Sequence, residues 1–279
     1  MGMMGNIFNP DNAFFTFMGK AFDIVVLNLV WLLLYVPFGG FLYLLSVTGS
    51  VVFIACAVVS LVVFVPSMIA LYYAVVKSIR RSRSYPVKEF FRSFKDNFRQ
   101  GAVGSVVVII ITALLYMDFQ YAWALVKEQD SKGVVSLGVF FVIAFFATGV
   151  LIYFCPVLSR FNMTFFNAVK FSLGLSAKHF WCTLLSFILW VGIVLLIYLT
   201  AGYVLFFGVA LATLLGSFMM EKVLKKYVLE TVERQKQAEN EALANGEEPD
   251  EGKEEKKPEY TESFEDGGKD TKKDEWYLE

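Results

Sequence analysis

The chain has 279 residues, of which 57% are hydrophobic and only 18% charged, with a mean hydropathy of +0.57 and a formal net charge of −1. A soluble domain of this length carries more charge over its surface, and apolar stretches long enough to cross a bilayer recur along the chain. A soluble globular domain is therefore excluded, and the expected class is an all-α integral membrane protein, a bundle of about six transmembrane helices with cytoplasmic amphipathic helices and an acidic C-terminal tail.

The near-zero net charge conceals two opposite parts. Residues 1–229 hold 17 basic and 8 acidic side chains, and residues 230–279 hold 8 basic and 18 acidic ones. A basic membrane body thus precedes an acidic tail. The expected organisation is an N-terminal segment over 1–21, a six-helix membrane domain over 22–229 and a cytoplasmic tail over 230–279.

The opening MGMMGNIFNPDNAFFTF has no basic region of the kind that precedes the apolar core of a cleaved signal. Asn6 stands where N-myristoylation needs Ser or Thr. No charge occurs from Ile24 to Val76, a run too long for one crossing at about 1.5 Å per residue. It must fold back once, near Pro37 and Gly39-Gly40 or near Thr48-Gly49-Ser50. The first span is expected over 22–45 and the second over 51–76, with Pro66 kinking the second. A third span over 102–125 and a fourth over 134–157 flank the polar VKEQDSKG, and Pro156 kinks or ends the fourth. The charge-free run from Phe180 to Met220 supplies spans five and six, with a tight turn near Thr200-Ala201-Gly202.

Charge distribution supports this count. With both termini in the cytoplasm, the inner segments hold fifteen basic residues, among them Lys20, Lys77, Lys88, Arg92, Lys95, Arg99, Arg160, Lys170, Lys178 and Lys226, and the outer loops hold only Lys127 and Lys132. That asymmetry is the positive-inside pattern.

The first large inner loop is SIRRSRSYPVKEFFRSFKDNFRQG, residues 78–101. The residue before a proline avoids the helical region, so a helix is expected to begin near Val87 and run to about residue 100. Val87, Phe90, Phe91, Phe94 and Phe98 fall on one helical face, and Lys88, Arg92, Lys95 and Arg99 on others. Flanked by membrane spans, this pattern fits an interfacial helix and not a nucleic-acid site. It serves either as a topological anchor or as an anchor that also docks a partner. The second inner loop repeats the design over 161–176: Phe161, Phe165, Phe166, Val169 and Leu173 space helically beside Lys170 and Lys178. The likeness fits either an internal duplication or the chance similarity of Phe-rich membrane sequence.

Several phrases resemble the YesL-like family of small bacterial integral membrane proteins. They are Phe8-Asn9-Pro10-Asp11-Asn12, Phe17-Met18-Gly19-Lys20, Asn28 and Trp31 in the first span, Ala70-Leu71-Tyr72-Tyr73 followed by Lys77, and FFRSFKDNF over 90–98. The resemblance covers most of residues 5–230. Two features depart from it: a longer apolar insertion between VPFGG and Pro66, and the acidic tail. The resemblance implies a bacterial cytoplasmic membrane and an accessory role near carbohydrate ABC transport or its regulation. It brings no catalytic or ligand residues with it.

Chemistry is sparse. There is no Gly-x-Ser-x-Gly, Walker A or His-Glu-x-x-His phrase, and the ABC permease loop signature is missing. Asp23, Asp118 and Glu221 fall at span ends, and His179, the single histidine, has no ligand partner at metal spacing. Asn28 is the most embedded strong polar group, available for an interhelical hydrogen bond or a substrate contact. Cys56, Cys155 and Cys182 lie in apolar surroundings as packing residues. Gly208, Ala212 and Gly216 offer a smooth face for a helix within the bundle or in an oligomer. The last span is expected to continue as a helix beyond the membrane through good helix formers, with disorder from Asn245-Gly246 onward and Trp276-Tyr277-Leu278 either a docking motif or a plain terminus.

These features point to a non-enzymatic accessory protein without metal or cofactor, whose partners are the bilayer and ABC transporter subunits or a membrane regulator. Phe90, Phe91, Phe94, Phe98, Arg92, Lys95 and Arg99 are the interface candidates. The alternative is an autonomous small-molecule transporter or channel, with Asn28 its intramembrane polar candidate.

Overall fold

Prolines and glycines set where the apolar runs break. The computed structural model describes residues 13–80, 85–128, 131–161, 163–200 and 202–244. The Phe8–Asn12 phrase and the tail from Asn245 lie outside them. The described residues form ten α-helices: α1 (Ala13–Leu33), α2 (Val36–Thr48), α3 (Val52–Ser60), α4 (Phe64–Arg80), α5 (Pro86–Asp96), α6 (Phe98–Lys127), α7 (Ser131–Leu158), α8 (Phe165–Lys178), α9 (Phe180–Leu199) and α10 (Leu205–Ala244). Five stretches are long and apolar enough to cross a membrane, and the bent pair α1–α2 makes a sixth.

The helix that carries the first crossing begins at Ala13, ahead of the apolar stretch itself, which runs from Met18. The crossing bends by 45° between α1 and α2. A proline ring collides with the carbonyl four residues before it, and for Pro37 that carbonyl belongs to Leu33, the last residue of α1. Pro37 then occupies the first turn of α2, where its missing N–H costs nothing. The hairpin turn falls at Gly49, whose φ of 65° is left-handed. Gly39 and Gly40 lie inside α2. In the second crossing a 3-10 turn, Leu61–Val63, separates α3 from α4 just ahead of Pro66. The backbone N–H of Val65, left spare by this break, donates to Ser105 Oγ at 2.9 Å. Tyr35 OH and Ser67 Oγ, 2.8 Å apart, tie the two breaks together.

Helix α4 is the hub. Every residue from Ile69 to Ser78 is buried, the polar Lys77 and Ser78 included. It packs against α1, α5, α6, α7 and α10. The Ala70-Leu71-Tyr72-Tyr73 phrase therefore belongs to the bundle core. One cluster joins Leu27, Trp31, Leu71, Val75, Phe90 and Ala210, and the other joins Val65, Ile69, Tyr153, Val157, Leu175 and Leu224. Gly101 makes the α4–α6 crossing possible: a Cβ there would stand 2.8–2.9 Å from Pro66 Cγ, Cα and N.

Packing is concentrated in one half of the bundle. No residue of α2 is buried, and none is between Val106 and Tyr121 or between Val134 and Thr148. Their exposed side chains suit lipid contact. Exposed Tyr43, Tyr116, Tyr121, Trp123, Tyr198 and Tyr203 gather at the far end, in the manner of an aromatic belt. The turn between α9 and α10 passes through Gly202, φ 90°. Helix α10 runs on for 40 residues, about 60 Å, which carries it well past the membrane, as its composition suggested.

Candidate functional site at the basic end of the bundle

The packed half ends in a basic face that carries Lys20, Lys77, Arg160 and the short helices α5 and α8. Helix α5 begins at Pro86, in the first turn. It is strongly amphipathic, but its apolar side divides in two. Phe90 is fully buried among α1, α4 and α10, and Ser93 is buried beside it. Phe94 is half-buried, stacked on Phe90 with ring centroids 6.3 Å apart. Phe91 and Val87 face outward, 46% and 37% exposed. Phe90 is thus a core residue and unavailable to a partner, which corrects its place among the interface candidates.

The helix also ends sooner than residue 100. Asn97 interrupts it, its amide donating to the Ser93 carbonyl at 3.0 Å. Phe98 and Arg99 belong to the first turn of α6, both exposed. Lys88, Lys95 and Asp96 are exposed, and Arg92 is half-buried. The outward surface is therefore Val87, Phe91 and Phe98 with Lys88, Lys95 and Arg99.

Charge pairs that the sequence did not reveal lock α5 and its neighbours in place. Lys77 Nζ lies 2.8 Å from Glu89 Oε2 and donates to Tyr73 OH at 3.1 Å, with its ammonium 5.3 Å from the Tyr73 ring centroid. Ser78 Oγ donates to Asp23 Oδ2 at 2.7 Å, and Lys20 donates to the Ile79 carbonyl. Asp23 and Lys20 thus each bond to the end of α4. Arg160 forms an ion pair with Glu221, the two side chains only 10% and 11% exposed, which joins the end of α7 to α10. A buried pair of this kind is costly to break singly.

Helix α8 spans Phe165–Lys178, so Phe161 precedes it and is buried in the core. Ala168, Ser172, Leu175 and Ser176 form the buried stripe. Phe166, Lys170 and Leu173 face outward. At the α8–α9 junction the Lys178 ammonium sits over the Tyr227 ring at 5.2 Å, and Tyr227 OH lies 3.4 Å from His179 Nε2. Partial burial lowers the His179 pKa, with Lys178 and Lys226 adding to the effect.

Asn28 is fully buried. Its Nδ2 donates to the Leu205 carbonyl at 2.8 Å, and the Ala210 N–H donates to its Oδ1 at 2.8 Å. Both ends of the amide clamp α1 to α10, which is the interhelical role. Gly208 and Ala212 are buried inside the bundle, while a Cβ at Gly216 would meet nothing within 4 Å. At the opposite end a shallow open depression is lined by Asp118, Ser131, Lys132 and Ser136. Among the described residues no group of three His, Cys, Asp or Glu could hold a metal, and the three cysteines are free.

Residues 24–119 match the family model described as "Protein of unknown function, DUF624". The match takes in α5 and the α4 hub and covers Asn28, Trp31, Ala70–Tyr73, Lys77 and residues 90–98 of the phrases that resemble the YesL-like family, but not the two that precede residue 24. No curated protein and no solved structure matches the chain.

Proposed function

We propose that this protein is a non-enzymatic accessory protein that docks a membrane partner on the outward surface of α5 and the first turn of α6. The observation that carries this reading is a rigid helix with a split apolar side. Phe90 and the Lys77–Glu89 pair fasten α5 to the core, while Phe91 and Phe98 remain 46% and 39% exposed beside Lys88, Lys95 and Arg99. Aromatic side chains framed by cations on a fixed scaffold are what interface hot spots need. The mixed charge, with Asp96 among the cations, suits a protein surface.

The partner class is a carbohydrate ABC transporter subunit or a membrane regulator, which rests on the YesL-like resemblance. The setting is the bacterial cytoplasmic membrane, which rests on the same resemblance, with both termini inside, which rests on the positive-inside pattern. A role as an autonomous channel draws less support, because Asn28 spends both ends of its amide on backbone partners.

The test is affinity purification from native membranes in mild detergent, comparing the wild type with a Phe91→Ser/Phe98→Ser double variant. Recovery of a transporter or regulator subunit in stoichiometric amount with the wild type, and its loss from a variant that still inserts and elutes as a single species, is the expected outcome. A partner that binds both proteins equally, or a wild type that purifies alone, would overturn the proposal.

A further inference from the structure

A second surface at the basic end has different chemistry. The segment from Ser131 to Met220 contains no acidic residue at all, yet it carries Lys132, Arg160, Lys170 and Lys178. Arg160 is taken up by Glu221. Lys170 and Lys178 are exposed on α8, and Lys226 is exposed on the facing turn of α10. The nearest acids in sequence are Glu221, held by Arg160, and Glu230, one turn past Lys226. The corner is drawn together through Tyr227: the Lys178 ammonium lies 5.2 Å from its ring centroid, its hydroxyl lies 3.4 Å from His179 Nε2, and Lys226 precedes it in the chain; both cations add to burial in lowering the His179 pKa.

This corner also sits where a membrane boundary belongs. Trp181 is 75% exposed at the first turn of α9, with Phe180 beside it also exposed. Exposed Trp and Phe at the start of an apolar span mark the level of the headgroups. Leu185 and Ile188 continue an exposed apolar track along α9. The first-turn N–H groups of α9 receive no side-chain cap and add positive potential at the same place.

We propose that the α8–α9 corner binds the phosphate headgroup of an anionic phospholipid, with Lys178 and Lys226 beside His179 contacting the phosphate and Trp181 marking the glycerol level. The acyl chains run along Leu185 and Ile188. The site is separate from the α5 surface, where Glu89 and Asp96 interrupt the cations, and it stands whether or not α5 docks a protein.

The experiment uses the full chain in nanodiscs of equal phosphatidylglycerol and phosphatidylcholine, released and weighed by native mass spectrometry. The wild type is expected to retain phosphatidylglycerol in preference to phosphatidylcholine. Lys178→Gln/Lys226→Gln should reduce the retained phosphatidylglycerol about tenfold, the scale for two partly screened cations near a headgroup, with phosphatidylcholine unchanged. Because Lys178 also packs on Tyr227, two further variants separate charge from fold. Lys226→Gln alone should give a smaller drop in the same direction, and Lys178→Arg/Lys226→Arg should restore retention. Equal retention of the two lipids by the wild type, or undiminished phosphatidylglycerol in a folded Gln variant, overturns the proposal.

Discussion

Replacing Phe90 by Ala should separate the two apolar sides of α5. The ring is fully buried in the cluster that joins α1, α4, α5 and α10. Truncating a buried phenylalanine costs about 3–5 kcal/mol in lost transfer energy and cavity formation. For a protein of this size that lowers the melting temperature by about 10 °C. Phe91, its neighbour in sequence, is 46% exposed, so Phe91→Ala should cost under about 1 kcal/mol. Fluorescence-detected size exclusion after stepwise heating in mild detergent reads both values on the same preparation. If the two variants melt together, the division of the α5 face into core and docking sides is wrong.

The Gly101 crossing gives a second test. Gly101→Ala places a methyl against Pro66 backbone atoms at 2.9 Å and should destabilise the bundle despite the ~1 kcal/mol gain in helix propensity. Gly138→Ala, where nothing lies within 4 Å, should keep that gain, and thermal melts compare the two. Arg160→Met and Glu221→Gln should each destabilise by about 3–5 kcal/mol by stranding a buried charge, and the double variant should recover part of the loss; additive losses in a double-mutant cycle would argue against coupling. Asn28→Leu should weaken the α1–α10 contact by about 1 kcal/mol, seen as easier cleavage by protease at the α9–α10 turn. The folded-state pKa of His179 lies below its ordinary 6.5, so the unfolded chain binds more protons between the two values. Stability should therefore fall as pH drops through 6.5 toward the lowered value, and His179→Gln should flatten that slope in melts taken from pH 5 to 8.

The crossings were legible because charge-free runs and prolines have direct physical consequences in a bilayer. The α9–α10 turn and the helix after Pro86 followed from local rules of the same kind. What periodicity conveys is a face, not its neighbour. Phe90 and Phe91 share the apolar side of α5, and only the position of α4 decides which of them is buried. The Asn97 interruption was hidden because the apolar spacing continues through Phe98. The Arg160–Glu221 pair was hidden because its members are remote in sequence. A signal was present in retrospect: Glu221 ends an otherwise acid-free stretch of the chain, and an acid arriving at the basic end asks for a cation. The bend at Leu34–Tyr35 follows from Pro37 and the carbonyl of Leu33, but in the sequence the same proline is equally compatible with the hairpin turn that the long apolar run requires.

The most direct measurement is site-specific photo-crosslinking in native membranes from a photoreactive residue at position 91, with position 114 on the exposed face of α6 as the reference. Docking through α5 predicts a discrete adduct from position 91 that contains a transporter or regulator subunit and is absent from position 114. Only lipid adducts from both positions, in the same pattern, would contradict it.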